Sequence, residues 1–255
     1  MIATSFGAYC SAKDSGGGFA IQTQLTKDLD AILFDLDGTL CTYAMTTQEV
    51  LAQVLVQTDS PPTMFGAPER AADRYNQLWL ELERGDETID ELRCIILSRM
   101  LEEAGRPDAG HAEKLAAAYR EIRDQSGTVL FGGVDTLISA LSTRYKLGML
   151  TNGPSELQWQ KIDELELRQR FDAIVVAGDV GIYKPHPEVF EILLSKLDVD
   201  ASRALYVGDW FEFDVVGGNA AGMRTVWVSD DPAPEGALAA GLQISRTAQL
   251  REVLL

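Results

Sequence analysis

The sequence predicts an α/β fold: a Rossmann-like parallel sheet with helices on both faces, plus an inserted α-helical cap domain. Three observations predict it. After Gly132-Gly133, short apolar runs alternate with helical patterns, the rhythm of parallel strands joined by helical crossovers. One further apolar run, Ala31-Ile32-Leu33-Phe34, stands alone far upstream and ends at Asp35. Between them, residues 42–127 carry helical periodicity and no convincing strand.

Each element has a local cause. Residues 1–27 are rich in Ser, Thr, Gly and Ala around Gly16-Gly17-Gly18, and read as a flexible leader or an over-extended start, outside the fold. The α/β core is expected over 28–41 and 128–255, and the helical cap over 42–127. In the cap, Thr46 and Glu49 have the spacing of a capping box, followed by Val50, Leu51, Val54 and Leu55 as an apolar stripe. Thr88 and Glu91 repeat the box before Leu92, Ile95, Ile96 and Met100, and Gly105 and Pro107 end that helix. Segments 67–84 and 109–124 also read as helices, and Pro61-Pro62 breaks the chain between helices. In the core, residues 147–150, 173–177, 204–207, 225–228 and 242–244 read as strands. Pro154 sits near the first turn of one helix, and Pro187 opens another that buries Val189, Phe190, Leu193 and Leu194.

Composition narrows the function. At 255 residues the chain can bury a real core in one large or two modest domains. A net charge of -17 argues against a nucleic-acid polymer or an anionic membrane surface as partner. No apolar run approaches the roughly 18–20 residues of a membrane span, and the N-terminal stretch lacks the apolar core of a signal peptide. Cys10, Cys41 and Cys94 are odd in number and form no CxxC pair, so a reducing cytoplasmic location is expected.

Ligands of parallel sheets bind beyond the carboxyl ends of the strands, and four segments fall there. These are Asp35-Leu36-Asp37-Gly38-Thr39-Leu40, Thr151-Asn152-Gly153, Lys184-Pro185, and Gly208-Asp209 with Asp214. Side chains two apart in extended backbone point the same way, so Asp35 and Asp37 can both project from the first strand's end. Paired carboxylates push their pKa values apart, which suits a nucleophile beside a general acid/base. Converging carboxylates need a cation, and hard oxygen ligands favour Mg²⁺ over zinc. Lys184 supplies the positive charge that a phosphoryl group and an aspartyl nucleophile require. His186 lies between two prolines without a partner in sequence. Cys41 reads as buried packing, and Gly217-Gly218 with Gly222 as close helix packing.

These motifs resemble, in order, those of the haloacid dehalogenase superfamily, and specifically its phosphatases. The likeness covers residues 29–41 and about 128–230. It implies that Asp35 attacks phosphorus to form an aspartyl-phosphate, while Asp37 protonates the leaving alcohol and then activates water. It implies that Thr151, Asn152 and Lys184 hold the phosphoryl oxygens. Mg²⁺ would rest on Asp35, the Asp37 carbonyl and Asp209, with Asp214 as a further ligand or behind the ligands. A helical insertion after the first motif is similar to the family's mobile cap, where Arg70, Arg74, Arg84 or Arg93 are possible substrate contacts. Thr151-Asn152-Gly153 with Gln158, Gln160, Lys161 and Ile162 is similar to the branch of 5′-nucleotidases and N-acylneuraminate 9-phosphatases. Trp210 departs from the small hydroxyl residues frequent at its position and is expected to pack under the pocket. The implied substrate is a small phosphate ester. A phosphomutase, a 2-haloacid dehalogenase and a non-enzymatic phospho-accepting module are the alternatives.

Overall fold

Ala31, Ile32, Leu33 and Phe34 have no polar side-chain atoms and no solvent exposure, as a strand covered on both faces requires. The computed structural model describes residues 25–82, 87–232, 234 and 241–255. Its strands, in chain order, are β1 (Ala31–Phe34), β2 (Cys41–Tyr43), β3 (Thr128–Leu130), β4 (Lys146–Thr151), β5 (Ala173–Val176), β6 (Ala204–Gly208), β7 (Arg224–Val228) and β8 (Leu242–Ile244). Six of them form one sheet in the order β5-β4-β1-β6-β7-β8, with every neighbouring pair parallel. The chain runs outward from β1 through β4 to β5, then returns to the other side of β1 at β6. The order therefore reverses between β1 and β6, where parallel sheets open a crevice for ligands.

Period-two alternation assigns the two faces. Ile32, Phe34, Leu147, Met149, Leu205 and Val207 pack with Val134, Leu137, Ile138 and Leu141 of the helix Val134–Leu141 and with Ile162. Ala31, Leu33, Ala204 and Tyr206 pack on the other face against Val189, Phe190, Leu193, Leu194 and Leu197 of the helix Pro187–Leu197.

Contacts divide the chain into two units, Met1–Thr42 with Leu130–Leu255, and Tyr43–Val129. In the second unit the helices Thr47–Gln57, Pro68–Leu82, Ile89–Glu103 and Ala109–Ser126 bury Val50, Val54, Leu78, Ile96, Leu97 and Leu115 against one another. Thr46 with Glu49 and Thr88 with Glu91 form complete capping boxes.

Three expectations change. Leu25 is buried against the sheet's core cluster, and the Leu25 and Lys27 carbonyls accept from Arg224, so residues 25–27 belong to the fold rather than to a leader. A single leucine among polar neighbours carries no periodicity to reveal this. Cys41–Tyr43 and Thr128–Leu130 are strands at the edges of the stretch that showed none, because neither is a run of buried apolar residues. Ala177 opens the short helix Ala177–Val180 rather than ending β5. The expectations for residues 1–24, including Cys10 and Gly16-Gly17-Gly18, and for Arg84 lie outside the described residues. No helix among the described residues is long and apolar enough to cross a membrane.

Leu33 lies fully buried in the central strand. Leu33→Ala should cost about 2–5 kcal/mol, whereas Thr88→Ala, which opens one capping box, should cost about 1 kcal/mol. Urea denaturation followed by circular dichroism ranks the two, and equal losses would contradict this placement of the core.

Candidate active site

A buried ammonium joins the acidic residues at the carboxyl edge of the sheet. The Lys184 Nζ donates to Asp35 Oδ1 at 2.7 Å, to Asp214 Oδ1 at 2.7 Å and to the Tyr206 hydroxyl at 3.2 Å. Asp35 follows β1, and its N–H donates to the Val207 carbonyl at 2.9 Å, extending the β1–β6 ladder to the motif residue itself. Lys184 is placed by Asn152, whose Oδ1 accepts the Lys184 N–H at 2.9 Å and whose Nδ2 donates to the Lys184 carbonyl at 3.2 Å. Burial works against the ammonium, but the Asp214 and Asp35 carboxylates outweigh it and hold the Lys184 pKa well above its usual range. Burial also pushes Asp35 well above the carboxylate range; Lys184 opposes that shift, while Asp214 and Asp209 add to it.

Asp209 follows β6 and completes the cluster. Thr39 Oγ1 donates to its Oδ1 at 3.2 Å, and the Trp227 indole donates to its carbonyl at 2.8 Å. Gly38 is held at φ +77°, and a Cβ there would lie 2.1 Å from Asp209 Oδ2, so only glycine lets the two loops approach. Oxygens of Asp35, Asp209 and Asp214 lie within 4.8 Å of one another. Three carboxylates against one ammonium leave a formal charge of minus two, and burial with the Asp214 charge raises Asp209 to a pKa of about 6. Hard oxygen donors, excess negative charge and mutual proximity all fit a divalent cation such as Mg²⁺.

Asp37 has a different environment from Asp35. The Lys161 Nζ donates to both of its carboxylate oxygens at 2.8 Å, and Gln158 Nε2 donates to Oδ2 at 3.1 Å. Both partners lie on the buried face of the helix Ser155–Glu164, and Gln158 Nε2 also donates to the Asn152 carbonyl at 2.6 Å. The Asp37 side chain is half-exposed and is not part of the three-carboxylate cluster. Its expected place among the metal groups is therefore not through its carboxylate. Thr151 is buried at the end of β4, and its hydroxyl donates to the Asn152 carbonyl at 3.1 Å.

Of the residues singled out in the sequence, Asp35, Lys184, Asp209 and Asp214 meet directly, Asn152 braces Lys184, and Asp37 is held beside them. Trp210 corrects an expectation. It is 45% exposed, tilted against Phe213 at 5.0 Å, and lines a surface pocket of about 340 Å³ with Asp209, Phe211 and Glu212 rather than packing beneath the site. Its N–H donates to Asp214 Oδ2 at 2.9 Å, so the backbone matters more to the acidic cluster than the ring. His186 is exposed. Cys41 is buried, and that burial pushes its thiol up, against nucleophilic use. Thr39, Tyr206 and Trp227 were missed as site residues, and Lys161 and Gln158 had no assigned role. The last two left a readable signal, since polar residues three apart share the helix face of Leu157 and Ile162.

The Asp209 carboxyl keeps its proton up to about pH 6 in the folded chain but loses it near 3.8 when free. The folded state thus binds more protons between those values, and Asp209's contribution to stability is lost as pH rises through about 6. A bound divalent cation favours the ionised form and reverses this. Mg²⁺ should therefore raise Tm relative to EDTA by more above pH 6 than below pH 4, and a pH-independent increment would refute a shared cation at these carboxylates.

Comparison with known proteins agrees with this geometry. Residues 29–222 match the haloacid dehalogenase-like hydrolase family. The HAD-hydrolase YfnB of Bacillus subtilis is 30% identical over 205 residues, which cover 80% of this chain and 85% of YfnB. The pyrimidine 5′-nucleotidase YjjG of Escherichia coli is 35% identical over 144 residues, covering 55% of this chain and 63% of YjjG. The crystal structure of magnesium-bound YfnB superposes with a TM-score of 0.71 at 26% identity, covering 89% of this chain and 99% of YfnB. With the motif aspartates, the lysine and the parallel sheet in place, this chain belongs to the haloacid dehalogenase-like hydrolases.

Proposed function

We propose that this haloacid dehalogenase-type phosphatase hydrolyses a small soluble phosphomonoester through an aspartyl-phosphate on Asp35, with Mg²⁺ as cofactor. The observation that carries this reading is the separation of two neighbouring aspartates onto two lysines. Lys184 holds Asp35, and Lys161 holds Asp37. One carboxylate is fixed beside the acidic cluster as a nucleophile, and the other is free to handle protons.

In the first step an Asp35 oxygen attacks phosphorus and the bond from phosphorus to the leaving oxygen breaks. Asp37 donates its proton to that oxygen. In the second step Asp37 takes a proton from water, the water oxygen attacks phosphorus, and inorganic phosphate leaves with Asp35 regenerated. Thr151, Asn152 and Lys184 are assigned to the phosphoryl oxygens. Asp35, Asp209, Asp214 and the Asp37 carbonyl are assigned to the metal, which supplies positive charge against the transferring group. Lys161 and Gln158 keep the Asp37 carboxylate oriented between the two steps. The unit Tyr43–Val129 is read as the family's cap domain.

The magnesium-bound state of YfnB supports the cofactor, and YjjG, a pyrimidine 5′-nucleotidase, makes nucleotides the first substrates to test. Cys41 and Cys94 are both free thiols, which supports a reducing cytoplasmic location.

Phosphate release across nucleotides, sugar phosphates and phosphoglycolate, with Mg²⁺ and with EDTA, tests the reading. Asp35→Asn should lower kcat at least about 10⁴-fold with the fold retained; appreciable remaining activity would overturn the nucleophile. Asp37→Asn should lower kcat about 10²–10⁴-fold. Lys161→Met should lower kcat about tenfold at unchanged KM, because it disturbs proton transfer rather than binding. A change confined to KM would show that Lys161 contacts substrate instead.

A further inference from the structure

One member of the acidic cluster is not held by a lysine. Asp35 and Asp214 both accept from the Lys184 ammonium. Among the described residues, the Asp209 carboxylate takes its side-chain hydrogen bond from the Thr39 hydroxyl instead, at 3.2 Å. The direction of that carboxylate therefore depends on where the turn of residues 36–41 holds Thr39.

The turn is tied down carbonyl by carbonyl. The Leu36 carbonyl accepts the Leu40 and Cys41 N–H groups at 2.9 and 3.1 Å, and the Cys41 carbonyl accepts the Gly38 N–H at 2.9 Å. The Leu40 carbonyl accepts the Phe131 N–H at 2.9 Å. The Thr39 carbonyl is served from far along the chain: the Thr247 hydroxyl, 208 residues away, donates to it at 2.5 Å. Thr39 is fully buried and Thr247 is 3% exposed, so solvent cannot replace that donor.

Thr247 stands on a pinned base. β8 pairs with β7, and the chain then enters the turn Thr247–Gln249. There the Gln249 Oε1 accepts the Ser245 and Arg246 N–H groups at 2.9 and 3.2 Å. Leu250 and Leu254, just beyond, are buried in the same cluster as Phe34 and Val134. Thr39 is thus gripped on both sides, its carbonyl by Thr247 and its hydroxyl by Asp209. Packing alone would be served equally by valine, which has the same shape; the hydroxyl is what reaches the turn.

We propose that Thr247 is a positioning residue for the divalent-cation site, acting through Thr39 on the Asp209 carboxylate. It lies beyond residues 29–222, which match the family. The proposal rests on the reading of Asp35, Asp209 and Asp214 as a Mg²⁺ site and deepens it. Without the Thr247 hydroxyl, the Thr39 carbonyl is buried without a donor, and the turn shifts to find one. That shift draws the Thr39 hydroxyl off Asp209. The three carboxylates then lose the alignment that a small octahedral cation demands.

Calorimetric titration of Mg²⁺ into the full-length chain, without substrate, tests this. Thr247→Val should raise the Mg²⁺ dissociation constant about tenfold, and Thr247→Ser should restore it. In a Thr39→Val background the same change should add nothing, because the link is already cut; additive losses would overturn the route through Thr39. A hydroxyl that serves stability alone would lower the urea midpoint of Thr247→Val and leave the Mg²⁺ constant unchanged, and that result would overturn the proposal. If Thr247→Val does not fold, the wild type decides. Coupling is reciprocal, so Mg²⁺ should slow amide hydrogen exchange across residues 242–250, and exchange indifferent to Mg²⁺ there would refute it. A wild type that binds no Mg²⁺ removes the cofactor reading and the proposal together. Binding that ignores Thr247→Val removes the proposal alone.

Discussion

The buried contact of Lys184 with Asp35 and Asp214 is the constraint on which the rest of the active-site edge depends. An ammonium and two carboxylates removed from water are stable only when their geometry is good and their remaining hydrogen bonds are made. Tyr206 bonds the ammonium, the Trp210 N–H donates to Asp214, and the Asn152 side chain braces the Lys184 backbone. Each comes from a different part of the chain, so the cluster forms only when β1, β4 and β6 are in register. The sheet's apolar core provides that register, and the reversal of strand order between β1 and β6 opens the space in which Asp35 and Asp209 face each other.

A second consequence is that two aspartates only two residues apart become chemically distinct. Extended backbone directs both toward the same edge, but their partners differ. Asp35 is enclosed with Lys184 and the acidic cluster, whereas Asp37 is half-exposed and gripped by Lys161 and Gln158 from the helix Ser155–Glu164. Such a division suits a nucleophile beside a proton carrier, because each role needs its own electrostatic surroundings.

Much of this was legible in sequence. The sheet strands longer than three residues showed as mainly apolar runs, because strands covered on both faces bury most of their side chains. Both capping boxes were legible because their hydrogen bonds close within four residues. The short, only partly buried β2 and β3, and Leu25 alone in a polar stretch, were not, since none of them presents a run of apolar residues. Tyr206 read as another core residue of a buried strand. Nothing local shows that its hydroxyl reaches the Leu150 carbonyl at 3.0 Å and Lys184 at 3.2 Å. Trp210 was misjudged because a large aromatic is usually buried, and only the path of the π-helical turn Phe211–Val216 leaves its ring at the surface.

The sequence by itself determined the order of the core strands along the chain, the helical character of the insertion and the identity of the acidic and basic groups that meet at the sheet's edge. Those properties follow from apolar periodicity, local capping and residue chemistry, which act over a few neighbouring positions. Tertiary structure alone decided which lysine serves which aspartate, that Asp214 faces Lys184 and the Trp210 N–H, and that Thr247 reaches the Thr39 carbonyl. These are choices among partners distant along the chain, and they are made by packing and by the cost of leaving a buried charge alone.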